Sequence, residues 1–201
     1  MTKYINLVKL LKRKKEFFNN LKGGKIMEKE QNITKEKGMM LEILLKEWRE
    51  TRQLTLDWID TLTLEQLNQE LPRPGLNSFA KHIYEMGEVQ KLYAVVLRGE
   101  EPNMETITTL TFESKKVIAK TKEGLKQFLS ECDESFNEVV SRVKKWEEGV
   151  SVFGLEVPKF GVVELLIRHE TLHHGQFIAF GYIMNVQFPR SWIDAWALPI
   201  K

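Results

Sequence analysis

A single cysteine, Cys132, in 201 residues excludes an intramolecular disulfide. No stretch approaches the roughly 20 uninterrupted apolar residues that a membrane span requires. Both scarcities predict a cytoplasmic protein with no stable membrane insertion. Internal repeats and low-complexity tracts are also missing. Positive charge is scarce where a nucleic-acid reader would need it. Of the net +2, residues 1–26 carry +7, from Lys3, Lys9, Lys12, Arg13, Lys14, Lys15, Lys22 and Lys25 against Glu16, so the rest of the chain carries −5. An acidic body lacks the side chains that neutralise phosphates, which argues against nucleic acid as a partner.

What is present is enough for a core: 42% of residues are hydrophobic and 10% aromatic, in a length that suits one domain plus a tail. The tail is residues 1–26, a basic amphipathic extension in which Ile5, Leu7, Val8, Leu10 and Leu11 alternate with lysines. It lacks the cleavage site of a secretory signal. Its end, Lys22-Gly23-Gly24-Lys25-Ile26-Met27, is also what a translated ribosome-binding site ahead of a start codon would read, so a native start at Met27 is the competing expectation. Residues 27–35 are a flexible lead-in, and 36–201 form the folded domain.

Within that domain Leu41, Leu44, Leu45, Trp48, Thr55 and Ile59 recur at three- and four-residue steps, which predicts a helix over about 36–62. Pro72-Arg73-Pro74-Gly75 breaks the chain, and Asn77 or Ser78 caps a second helix that stops near Gly99. A polar connection through Thr106–Thr111 leads to a third helix over about 120–146. Cys132 shares its apolar face with Leu125, Phe128, Leu129, Phe136, Val139 and Val143, so the thiol is expected in the core rather than at a reactive site. Val150, Val152, Leu155 and Val157 alternate around Gly154, which predicts a hairpin or extended loop. The fourth helix, about 160–185, is apolar on nearly every side and belongs at the centre of a bundle. The stretch 188–196 should add a short helical turn. The fold class is all-α, a four-helix bundle, an architecture that builds metal sites from side chains on facing helices.

Histidine is rare, at four residues, and its placement is informative. At ~100° per residue His169 and His173 stand ~40° apart and one turn apart along the fourth helix, so both can reach one ion. His174 points roughly 100° away from His173 and is a poor third ligand. His82 lies in register with Met86, Val89 and Tyr93 on the inward side of the second helix, where a lone imidazole is costly to bury. A divalent ion on His82, His169 and His173 would use all three. The alternative is core histidines bonded to carbonyls or carboxylates. Three neutral imidazoles leave an open coordination position, the pattern of a catalytic site. Zinc or nickel is expected first, with iron or manganese also compatible.

His169-Glu170-Thr171-Leu172-His173 is also the HExxH string of zinc peptidases, in which the glutamate acts as general base. The longer metzincin pattern fails, because Gly175 comes one place early and no later histidine exists. After Glu170 the only acidic residue is Asp194.

The run Arg168-His169-Glu170-Thr171-Leu172-His173-His174-Gly175-Gln176, with Phe79-Ala80-Lys81-His82-Ile83 and Trp48-Arg49-Glu50-Thr51-Arg52, resembles the DinB/YfiT family of metal-binding bundles over about 36–196. The resemblance implies that His82, His169 and His173 hold the ion. His174 stands where many members carry arginine. It further implies a homodimer and a metal-dependent enzyme in detoxification or stress response, acting on a small molecule. Relatives include transferases and isomerases that use low-molecular-weight thiols such as bacillithiol or mycothiol. A thiol S-transferase is the leading expectation; a non-catalytic, metal-stabilised interaction protein and a metal-dependent hydrolase or peptidase are the others. Glu170 is the candidate proton handler, against the alternative of an exposed helix glutamate. Gln176 is a candidate for bonding a ligand or for packing between helices, and Arg52 for meeting a substrate carboxylate or a carboxylate of the bundle.

Overall fold

The computed structural model describes residues 30–72, 76–102 and 118–199. The basic amphipathic extension of residues 1–26 and the connection through Thr106–Thr111 lie outside the described residues. Among the described residues six helices and one hairpin follow in order: α1 (Glu30–Thr61), α2 (Leu64–Asn68), α3 (Phe79–Leu97), α4 (Lys122–Arg142), β1 (Gly149–Val152), β2 (Leu155–Pro158), α5 (Lys159–Ile183) and α6 (Arg190–Trp196). The four long helices make the bundle that the periodicity predicts. α3 packs on α4 and α5, α1 packs on α5, and a lighter contact joins α1 to α4. No helix among the described residues is long and apolar enough to cross a membrane.

Local signals set the helix ends. Ser78 is the cap of α3, its Oγ accepting from the Lys81 N–H at 3.3 Å. Gly99 ends that helix with φ of 82°, a conformation in which a side chain would be strained. Thr121 caps α4 in the same way through the Gly124 N–H. The short α2 is absent from the sequence expectation, although Thr63 and Gln66 form a full capping box. In the hairpin Val150 pairs with Val157 and Val152 with Leu155. Phe153 and Gly154, with φ of 52° and 77°, supply the tight turn.

α4 ends four residues before the expected Trp146. Val143 turns extended, which lets the Trp146 carbonyl accept from the Phe160 N–H at 3.1 Å and the Glu148 carbonyl from that of Lys159 at 3.0 Å. Trp146 thereby packs on the core while closing the loop into α5.

The core has two apolar parts. One gathers Trp58, Phe79, Phe177 and Trp192; the other gathers Trp48, Phe136, Val162 and Leu166. On every long helix the residues between those parts include buried or half-buried polar groups: Arg52 and Thr55, Gln90, Asp133, Glu170 and His174. Cys132 is buried, as its register predicts.

Candidate metal centre

The apolar surroundings of α5 bury most of its inward side chains, and three of the four histidines belong to that helix. His173 is the hub. Its Nδ1 lies 3.1 Å from Nδ1 of His82, 91 residues away on α3, and its Nε2 lies 3.3 Å from Nε2 of His169 one turn back. Of the three rings that the spacing singles out, His173 thus contacts each of the other two, through a different nitrogen. His82 and His173 are buried and His169 is partly exposed, with its Nδ1 enclosed. Phe177 closes one side, its ring 6.1 Å from His82 and 6.4 Å from His173.

Electrostatics keep the α5 pair neutral. Burial pushes His169 down to about 4, helped by His82, Lys81 and Arg52. Burial likewise holds His173 well below the ordinary imidazole value, with His169 and His82 adding to it. A neutral imidazole has a free nitrogen lone pair, the form that binds a metal. Gln176 Oε1 lies 3.0 Å from His173 Nδ1.

Taken in pairs, the imidazoles fit a divalent ion. Two nitrogens bonded to one ion at about 2.0–2.1 Å, and about 90–110° apart, stand roughly 2.9–3.4 Å from each other. The observed 3.1 and 3.3 Å fall in that interval. The two contacts use opposite nitrogens of His173, so each separation describes one pair of rings and not a common point for all three.

Two further charged groups stand here that the sequence reading missed. Glu85, His82 and His173 each offer an atom within 4.8 Å of the others. Lys81 donates to Glu85 Oε2 at 2.5 Å, both side chains being almost wholly buried. The signal was available, because Glu85 follows His82 by three positions and Lys81 precedes Glu85 by four, all on one helix face.

His174 turns to α1 and α6, away from the other rings, as its angle predicts. Its Nε2 lies 2.7 Å from Thr55 Oγ1, and its ring packs on Trp192 and Trp196. Thr55 donates its hydroxyl proton to Glu170, so its oxygen accepts from a His174 Nε2–H, which assigns the tautomer. Burial, then Arg52, pushes His174 down to about 3.

Glu170 is not the exposed glutamate offered as the alternative; it is wholly buried. An all-round apolar helix in mid-bundle leaves no solvent side at that height. Its oxygens face Thr55 and Arg52 Nη2, the latter at 3.3 Å. Burial raises its pKa, against the opposing pull of Arg52 and the Thr55 hydroxyl. Arg52 therefore meets bundle carboxylates: Nε is 3.2 Å from Asp133 Oδ1, and Nη2 also donates to Gln90 Oε1 at 2.7 Å. Gln90 completes the ring by donating to Asp133 at 3.0 Å.

Comparison with known proteins adds the following. The sequence profile of the DinB family matches residues 14–180. A DinB-like protein from Bacillus cereus is similar in structure at 18% identity, covering 74% of this chain and 95% of that one with a TM-score of 0.58. A DinB-like protein from Bacillus subtilis is similar at 14% identity, covering 74% and 96%, with a TM-score of 0.53. YfiT from Bacillus subtilis, described as a probable metal-dependent hydrolase with an unusual four-helix bundle topology, is similar at 14% identity, covering 82% and 93%, with a TM-score of 0.54. At such identities the likeness is one of fold. No curated protein matches the chain.

Proposed function

The chain belongs to the DinB family, and on that premise we propose that it is a divalent-metal-dependent enzyme that transfers a low-molecular-weight thiol to a small electrophile, with His82, His169 and His173 as the metal ligands. The observation that supports this reading is the contact of His173 with an imidazole on either side, His82 at 3.1 Å and His169 at 3.3 Å, each a separation that suits two ligands of one ion. A divalent ion held there supplies Lewis acidity, which lowers the pKa of a thiol or water beside the imidazoles. The chain supplies the rest. Burial keeps the α5 imidazoles unprotonated, Gln176 orients His173, and Phe177 excludes water from one side.

Glu170 is engaged by Thr55 and Arg52, partners that suit a positioning role between α5 and α1 better than a proton handler. This weakens the peptidase reading. A hydrolase remains the second reading, favoured by the description of YfiT. A non-catalytic bundle would instead lose stability without losing any turnover when His82 is replaced.

Elemental analysis of the purified protein beside His82→Ala is the first test. Stoichiometric metal in the parent and loss in the variant is the expected result; full retention in the variant refutes the site. The metal-loaded protein is then offered a bacillithiol-type thiol with an activated aryl halide, and separately an ester and an amide. Metal-dependent thiol consumption supports transfer, and metal-dependent hydrolysis without thiol supports the second reading.

A further inference from the structure

Lys81 and Glu85 flank His82 in the first two turns of α3, and the three-histidine reading uses neither. Both are nearly enclosed, with 7% and 9% of their surface exposed, which places this pair apart from the solvent-facing i, i+4 pairs of the chain. Taking two charges out of water is costly. Their position gives the pair a second use. The Lys81 bond engages Oε2 of Glu85, and a carboxylate oxygen of the same residue shares the 4.8 Å cluster with His82 and His173.

Charge makes the same point. Neutral imidazoles bring no negative charge to a doubly charged ion, and the Lys81 ammonium lies against Glu85 in the same cluster. A buried cation beside a dication requires an anion between them, and Glu85 is so placed. We infer that Glu85 is an anionic ligand of the ion, with Lys81 as the residue that positions its carboxylate. A hydrogen-bonded carboxylate is the usual form of such a ligand. An oxygen donor added to imidazoles widens the site toward manganese and ferrous iron, beyond the zinc and nickel that nitrogen donors suit.

This inference rests on the reading that the imidazoles hold an ion, and the test separates the two. Manganese and zinc affinities are measured by chelator competition for the full chain and for Glu85→Gln, together with the visible absorption of the cobalt-loaded proteins. The variant is expected to bind manganese at least about tenfold more weakly, to lose less for zinc, and to show an altered cobalt spectrum. Equal affinities and an unchanged spectrum overturn the inference. Should Glu85→Gln not fold because Lys81 is stranded, the double variant Lys81→Met/Glu85→Gln removes both charges and gives the same comparison. A parent chain that binds none of these ions sinks the metal reading itself, whereas binding that Glu85→Gln leaves intact sinks only the role of Glu85.

Discussion

Replacing Arg52 by methionine keeps much of the side chain's volume and removes the one cation that Asp133 and Glu170 share. Each carboxylate lies a little over 3 Å from a guanidinium nitrogen. With charge centres about 4 Å apart and an effective dielectric near 20, each pair has about 4 kcal/mol of Coulomb attraction. Desolvation cancels much of that in the intact protein, but removing one partner exposes the full cost, about 3–5 kcal/mol. At a urea dependence of about 2 kcal/mol per molar, the unfolding midpoint should fall by about 2 M. Adding Glu170→Gln to the variant should recover part of the loss, because a neutral amide tolerates the site better than a stranded carboxylate. Urea titrations at pH 7, followed by circular dichroism, measure both. A loss below about 1 kcal/mol, or a double variant weaker than the sum of its parts, would refute the reasoning.

Acid should weaken the fold through its histidines. His169 and His174 have folded values of about 4 and about 3, below an unfolded value of about 6.5, so their stabilisation is full above pH 6.5 and is lost as pH falls toward those values. Urea midpoints measured from pH 7 to 4 should decline, and His174→Gln should flatten the slope. Gly87→Ala should cost about 1–3 kcal/mol, because a Cβ there runs into the Phe128 ring and close to Cys132 Sγ; thermal melting checks it. Trp192→Phe removes the indole N–H that donates to the Leu54 carbonyl at 2.7 Å and should cost about 1 kcal/mol, again read from the urea midpoint.

Much of this protein was legible from residue spacing. The three- and four-residue steps of Leu44, Trp48, Thr55 and Ile59 locate α1, although that helix begins at Glu30, ahead of the apolar stripe. The angle between His173 and His174 correctly sends one ring to the other histidines and one to Thr55. Partner choice was not legible. Nothing local to Arg52 says that Asp133 and Glu170 will be its carboxylates, since that depends on how three helices pack. The burial of Glu170 could have been read, because the pattern that puts α5 in mid-bundle also denies that residue a wet face. Glu85 escaped notice because a carboxylate four residues after a lysine is usually an exposed pair; its place three residues after the inward His82 was the sign that this one is buried.

The charged band between the two aromatic ends of the core acts as a ruler. A slip of one long helix by a single turn, about 5.4 Å, would drive Arg52 or Glu170 in among Trp48, Phe136 or Phe177. No neighbour there could compensate the charge. A leucine-filled band would hold the helices together more tightly yet accept several vertical offsets. Here only one phasing survives, and in it the rings of His82 and His173 are at the same height.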